Sequence, residues 1–181
     1  MSLEAVTGQL SASLAKLHDA FSALQLTLNE DRPTKGESAL ADMLGDSALE
    51  VIGMLHEARQ AAVEAQSALA REPDFDRARR ALSTCQKMLP QIEQKFWGDL
   101  IAHERLADLA HFASERGGEW PAWARATKQR MEQCRQPLQE TSAALANCWQ
   151  EIVEHFVTGL WIADRLPPER PRPRKSGRKR T

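Results

Sequence analysis

The histidines and nearby carboxylates are the residues whose spacing comes closest to metal chemistry. His103 and His111 lie eight residues apart, and Glu151 and His155 form an i, i+4 pair. If one helix contributed the two histidines and another the Glu151–His155 pair, the site would contain ligands that zinc prefers. Ferritin-like di-iron sites need Glu-x-x-His pairs on two helices, and no glutamate here has a histidine three residues later. A polar layer or exposed surface explains the same residues, so we predict no metal site and no cofactor.

The three cysteines, Cys85, Cys134 and Cys148, are the residues to consider for nucleophilic chemistry. Their spacings match no zinc or redox motif. Cys134 and Cys148 fall on the apolar side of a predicted helix, where a thiol behaves as a small hydrophobe and is normally inert. The glycines at 117 and 118 match neither phosphate-binding fingerprint. We therefore predict that the protein is not an enzyme and has no catalytic residues.

Basic residues are concentrated at the C-terminus. Residues 165–181 contain eight Lys/Arg and one acid, a net charge of +7, whereas residues 1–164 contain sixteen Lys/Arg and twenty-four Asp/Glu, a net charge of −8. Clustered cations neutralise phosphates and release counterions, which gives affinity independent of base sequence. The candidate nucleic-acid or anion-binding residues are Arg170, Arg172, Arg174, Lys175, Arg178, Lys179 and Arg180.

Other roles for this basic tail stay open. Its charge could hold an anionic membrane surface, or it could improve solubility or dock on the acidic part of the same chain. No aromatic residues are interleaved with the cations, so stacking on single-stranded bases is not indicated.

Tryptophan is the second feature that points to a partner, because it is enriched at protein interfaces. The candidate interface residues are Trp97, Trp120, Trp123 and Trp161. Trp120 and Trp123 flank the Gly117-Gly118 turn, and the alternative is that they close the end of the fold. Trp149 is expected to lie in the core.

The elements that must position these residues are helices, because apolar side chains recur every three to four positions along most of the chain. Pro33, Pro73, Gly117-Gly118 and Pro167 separate the segments. The predicted fold is all-α: an antiparallel four-helix bundle of long, coiled-coil-like helices. The helices are expected at about 2–28, 35–71, 75–116 and 120–166.

Each predicted helix has one apolar stripe that should face the core. The stripe residues are Val6, Leu10, Leu14, Leu17, Phe21, Leu24 and Leu28; Leu44, Ala48, Val51, Leu55, Ala58, Ala62, Ala65 and Leu69; Phe75, Ala78, Leu82, Cys85, Leu89, Ile92 and Phe96; and Thr127, Met131, Cys134, Leu138, Thr141, Leu145, Cys148, Ile152, His155 and Gly159.

The short Gly117-Gly118 turn predicts that the third and fourth helices are antiparallel neighbours. Residues whose numbers sum to about 236 should then lie level, which places Pro90 opposite Ala146. A proline inside a helix removes one hydrogen bond and clashes with the preceding turn. We therefore predict kinks near Pro90 and Pro137.

The chain divides into a helical bundle, residues 1–165, and a flexible Arg/Pro/Lys-rich tail, residues 166–181. The N-terminal sequence lacks the pattern of a signal peptide. The longest nearly apolar stretch, Phe156 to Ala163, is far below the roughly 20 residues needed to cross a bilayer. A cytoplasmic location is therefore expected.

The sequence favours an adaptor, scaffold or assembly subunit that acts through protein–protein contacts, including self-association. The alternative is a nucleic-acid-binding accessory protein that uses the basic tail as a sequence-independent phosphate clamp. A small-molecule ligand is not expected.

Overall fold

The computed structural model describes residues 2–34, 39–70, 73–97, 111–112 and 114–165, apart from the side chains of residues 96–97 and 159–165. Regular secondary structure in these ranges is α-helical throughout. The helices are α1, Leu3–Asn29; α2, Ala39–Leu69; α3, Phe75–Trp97; α4, Trp120–Gln133; and α5, Arg135–Arg165.

The predicted boundaries are largely confirmed, with two segments left open. Two predicted helical segments lie outside the described residues. They are the start of the second helix, at 35–38, and the part of the third helix from 98 to 110. Residues 111–112 and 114–115 are helical, in agreement with the long third helix. The predicted fourth helix is present as α4 and α5, which are separated by the single residue Cys134.

Local sequence signals account for the helix ends. The Ser2 hydroxyl accepts a hydrogen bond from the Ala5 N–H at 3.3 Å, and the Asp74 carboxylate accepts one from the Arg77 N–H at 2.9 Å. Both side chains satisfy donors that the first turn of a helix leaves free. Pro121 stands in the first turn of α4, where its missing N–H costs little. Gly118 has a φ of +72°, which favours glycine.

The helices form a ring in which α1 packs against α2, α4 and α5, α2 packs against α3, and α3 packs against α5. Within the described residues, no Cα atom of α1 lies within 8 Å of one in α3, and none of α2 lies within 8 Å of one in α5. Trp123 near the start of α4 meets Thr27 near the end of α1, and Cys148 in α5 meets Val6 near the start of α1. Neighbouring helices therefore run antiparallel, which confirms the four-helix bundle.

Most of the described core consists of the predicted stripes, and most of the other buried apolar residues are alanines. All seven stripe residues of α1 and all eight of α2 are buried. Fully burying a leucine contributes about 1.5–3 kcal/mol, so these two helices supply much of the apolar driving force. In α3 the stripe from Ala78 to Ile92 is buried and Phe75 is partly buried, whereas the side chain of Phe96 lies outside the described part.

The prediction for the last turns of α5 is wrong at His155, which is exposed. Among the described side chains, Ile152 is the last buried residue of this stripe, and Gly159 lies outside them. Cys148 lies level with Val6, about one helical turn from the start of α1 at Leu3. The periodic pattern continues beyond this point, but α1 does not extend far enough to cover it.

The helix is interrupted at Cys134, three residues before Pro137, in the region where a kink was predicted. The Cys134 N–H is shared between the carbonyl oxygens of Arg130, at 3.2 Å, and Met131, at 3.3 Å. The Thr141 hydroxyl donates back to the Pro137 carbonyl at 2.7 Å, a contact that tends to bend helices. The kink near Pro90 stays a prediction, because Pro90 lies inside α3, which is one helix from Phe75 to Trp97.

Candidate functional site

Trp120 and Trp123 are buried at the end of the bundle, with only 5% and 4% of their surfaces exposed. Their ring centroids are 5.4 Å apart at an interplanar angle of 78°. Phe112 packs edge-on against both rings, and the Arg116 guanidinium lies 4.7 Å from the Phe112 centroid. Such edge-to-face pairs are favoured by the ring quadrupoles. Their burial supports the interpretation that the pair closes the bundle end.

Trp123 also has a specific polar role. Its indole N–H donates to the carbonyl oxygen of Thr27 at 2.8 Å. Thr27 is in the last turn of α1, where helix carbonyls have no intrahelical donor. The N–H groups of Glu30 and Asp31 both donate hydrogen bonds to the carbonyl oxygen of Leu26 instead. Trp123 therefore caps the C-terminus of α1 from a position 96 residues away.

The three cysteines are buried thiols without the features of nucleophiles. Burial raises the pKa of Cys85 and Cys148 to about 11 and that of Cys134 to about 12. Cys85 donates to the Ala58 carbonyl and Cys148 to the Val6 carbonyl, each at 3.2 Å. Because the thiolate is the reactive form, these three side chains are poorly suited to nucleophilic attack at neutral pH.

The candidate metal ligands are not gathered into one cluster in the described ranges. His111 contacts Glu115 at 3.1 Å, and both side chains are exposed. The Nδ1 atom of His155 lies 2.8 Å from the backbone oxygen of Glu151. No group of three or more His, Cys, Asp or Glu side chains forms a metal site within the described chain, and His103 lies outside it.

A groove between α3 and α5 exposes apolar side chains on the described surface. It contains two adjacent cavities of about 310 Å³ and 230 Å³ that share Trp149. The first is lined by Phe75, Asp76, Arg79, Trp149, Ile152, Val153 and Phe156; the second is lined by Gln86, Leu89, Pro90, Glu93, Ser142, Leu145, Ala146 and Trp149. We call this surface the α3–α5 groove.

The second cavity confirms the predicted register of the two helices, because Pro90 and Ala146 line it together. Trp149 was predicted to be a core residue, but it is only partly buried. Its Nε1 atom has no hydrogen-bond partner in the described part of the protein. The sequence pattern placed Trp149 beside the stripe of α5, and this position proves to be the edge of the bundle.

A third cavity of about 480 Å³ adjoins the Gly117-Gly118 turn and is lined by Pro33, Thr34, Gly117, Gly118, Glu119 and Trp120. Among the described residues, its lining contains no histidine, cysteine or basic side chain.

The other predicted site residues lie at or beyond the limits of the described structure. The backbones of Trp97 and Trp161 are helical, and their side chains lie outside the described part. The seven basic candidates, Arg170 to Arg180, also lie outside it. No helix in the described ranges is long and apolar enough to cross a membrane.

Comparison of the chain with models of known protein families, with curated proteins and with solved structures finds no match. The functional argument therefore depends on the molecule's own surfaces.

Proposed function

We propose that the protein is a non-enzymatic adaptor or assembly subunit that binds another protein through the α3–α5 groove. The observation that carries this proposal is the groove itself, in which Phe75, Trp149, Val153 and Phe156 present apolar surface that the bundle leaves partly uncovered. Apolar grooves between helices recognise the apolar side chains of a partner helix.

The charged residues at the groove favour a specific complex. Asp76 and Arg79 of α3 lie at one end of the groove, and Glu93 lies at the other. Polar groups around an apolar centre are the usual arrangement of a protein interface, where they fix the register of the partner. The partner is therefore expected to bring an apolar stripe with flanking charges.

The nucleic-acid alternative has less support. It depends on the basic tail, which lies outside the described residues. The body that precedes the tail has a net charge of −8, and an acidic surface repels a phosphate backbone. Among the described residues that line the α3–α5 groove, Arg79 is the one cation, and Asp76 and Glu93 offset its charge.

Site-specific photo-crosslinking tests the adaptor proposal. A photoreactive benzoylphenylalanine at Ala146, an exposed position in the groove, should give a discrete crosslinked product in cells of the source. The matched control is the same residue at Glu57, an exposed position on α2 away from the groove. The added substitution Ser142→Arg, also at an exposed groove position, should remove the product and leave the helical content unchanged.

Mass photometry of the purified full chain separates self-association from binding to a different protein. Equal crosslinking at Ala146 and Glu57, or a product that Ser142→Arg does not affect, would contradict the assignment of the groove.

A further inference from the structure

The residues of α5 that line the two cavities of the α3–α5 groove repeat with a period of seven. Those at the second cavity are Ser142, Leu145, Ala146 and Trp149, and those at the first are Trp149, Ile152, Val153 and Phe156. Each set occupies positions i, i+3, i+4 and i+7 of the helix. Every member of one set therefore has a counterpart seven residues along the chain, and Trp149 belongs to both sets.

Four residues at this spacing form a hole of the kind found in coiled coils. One side chain of a facing helix inserts as a knob between the four, which are neighbours on one face of their own helix. The α3 wall of the second cavity has the same spacing, in Gln86, Leu89, Pro90 and Glu93. The α3 wall of the first cavity consists of Phe75, Asp76 and Arg79, which are positions i+3, i+4 and i+7 of a set that begins at residue 72, outside the described residues.

Both holes have apolar floors that lie below exposed apolar edges. Leu89, Leu145 and Ile152 are buried, whereas Val153 and Phe156 are 54% and 57% exposed. The two cavities have volumes of about 310 Å³ and 230 Å³, which leaves room for one large apolar side chain in each. Filling them would remove the exposed edges from water, and burial of a leucine-sized side chain is favourable.

The walls of the groove favour a helical occupant over an extended one. Both walls are α-helices, so an extended peptide has no strand edge to pair with. The lining positions recur after seven residues on α5 and after fourteen on α3, which correspond to about 10.5 Å and about 21 Å. In a partner helix, residues seven or eleven positions apart lie on one face and span about 10.5 Å or about 16.5 Å. Either spacing fits within this range.

The charges at the groove are unevenly balanced. Asp76 and Arg79 at the first cavity form an ion pair at 3.7 Å. Glu93 at the second cavity is exposed and has no ion-pair partner within the described part of the chain. Complementary charges fix the register of a complex. A Lys or Arg beside the side chain that enters the second cavity would therefore complement the groove.

We propose that the α3–α5 groove receives an amphipathic α-helix of a partner protein. The helix inserts one large apolar side chain into each cavity, with these two anchors seven or eleven residues apart, and places a Lys or Arg next to Glu93. This inference rests on the proposed function and specifies the kind of partner that the groove binds. Trp149 lies between the two anchors and contacts both.

Selection from a library of displayed helical peptides tests the proposal without the natural partner. The bait is the purified full chain, and the library varies apolar and charged residues on an Ala/Glu/Lys helix. Enriched peptides should carry two large apolar residues seven or eleven positions apart. In fluorescence anisotropy, moving one anchor by two positions turns it to the opposite side of the helix. This change should weaken binding about tenfold to a hundredfold, because one side chain leaves its cavity.

Two variants of the bait show where the peptide binds. Ser142→Arg places a long charged side chain at the second cavity and should weaken binding at least tenfold. The matched control is Gln60→Arg, also at an exposed helical position, on α2 away from the groove, and it should leave binding unchanged. Circular dichroism should report the same helical content in both variants.

Reversal of one charge tests the register. A second selection on the Glu93→Lys chain should enrich Asp or Glu at the position where the wild type enriches Lys or Arg. The matched control is Glu57→Lys, an exposed position on α2, which should keep the preference of the wild type.

Three results would overturn the helical partner. The first is no peptide enriched on the wild-type chain over the Ser142→Arg chain. The second is enrichment of peptides that are extended or that lack apolar residues at helical spacing. The third is the same charge preference on the wild-type and Glu93→Lys chains. Any of these together with a crosslinked product from Ala146 in cells would leave the adaptor proposal standing, whereas absence of that product would contradict the adaptor proposal itself.

Discussion

Replacement of Trp123 tests how the start of α4 stabilises the end of α1 in the bundle. The Trp123 indole donates to the Thr27 carbonyl at 2.8 Å inside the bundle end. Trp123→Phe keeps an aromatic ring against Phe112 and Trp120 but removes the donor. The Thr27 carbonyl is then buried without a partner in the last turn of α1, which has no backbone donor to replace it.

Two terms set the expected loss of stability. A buried acceptor left unsatisfied costs about 1–3 kcal/mol. The smaller ring leaves a void of about 40 Å³, which costs about 1 kcal/mol at ~24 cal/mol per Å³. The free energy of unfolding should therefore fall by about 2–4 kcal/mol. For a chain of this size, the melting temperature should fall by about 2–4 °C for each kcal/mol.

Urea unfolding followed by far-ultraviolet circular dichroism measures this loss, with an unchanged m value as the sign that the unfolded state is unaffected. Incorporation of benzothienylalanine at Trp123 is the matched control, because it keeps the size of the indole and replaces the N–H by sulfur. This variant should lose only the hydrogen-bond contribution of about 1–3 kcal/mol. Wild-type stability in the benzothienylalanine variant would show that the indole does not cap α1.

Three further predictions concern the backbone and the buried thiols. Gly118→Ala should lower the free energy of unfolding by about 1 kcal/mol, because a residue with a Cβ is strained at positive φ. Gly117→Ala should have little effect, because an added Cβ there meets no atom within 4 Å. The urea midpoints of the two variants test the difference. Pro90→Ala should raise the free energy of unfolding by about 1–3 kcal/mol, because it restores a hydrogen bond inside α3. Pro137→Ala should raise it less, because the helix is already interrupted at Cys134. Thermal melts of the two variants compare these gains. Burial raises the pKa of Cys134 from 9.0 to about 12. The neutral thiol therefore stabilises the folded state below pH 9, and this contribution is lost as pH rises from 9 towards 12. In Cys134→Ala, the melting temperature should therefore fall less between pH 9 and pH 12 than it does in the wild type. An equal fall in the wild type and the variant would contradict a role of the Cys134 thiol in this pH dependence.

The core was predictable because α1 and α2 have neighbours on their apolar sides along their described lengths. In such helices the period of three to four residues identifies the buried side, and every stripe residue of both helices is buried. The N-cap role of Asp74 was predictable for a similar reason, since it depends on a donor only three residues away.

The candidate site was harder to predict because exposure depends on neighbours that are distant in sequence. Trp120 and Trp123 have the composition of an interface, but Phe112 and the end of α1 bury them. Trp149 lies beside a core stripe, but α3 and α5 leave it at the floor of a groove. An indole is favourable in either environment, so residue type alone does not distinguish the two.

Spacing and composition alone determined that the chain forms long amphipathic helices, where proline and glycine divide them, and that the charge is separated into an acidic body and a basic tail. These are properties of residues a few positions apart. Only the tertiary structure decided where each apolar stripe stops being covered. The stripe of α5 continues in the sequence to His155, but among the described side chains its burial ends at Ile152. A side chain leaves water only where another helix reaches the same level, and helix lengths and register set that level.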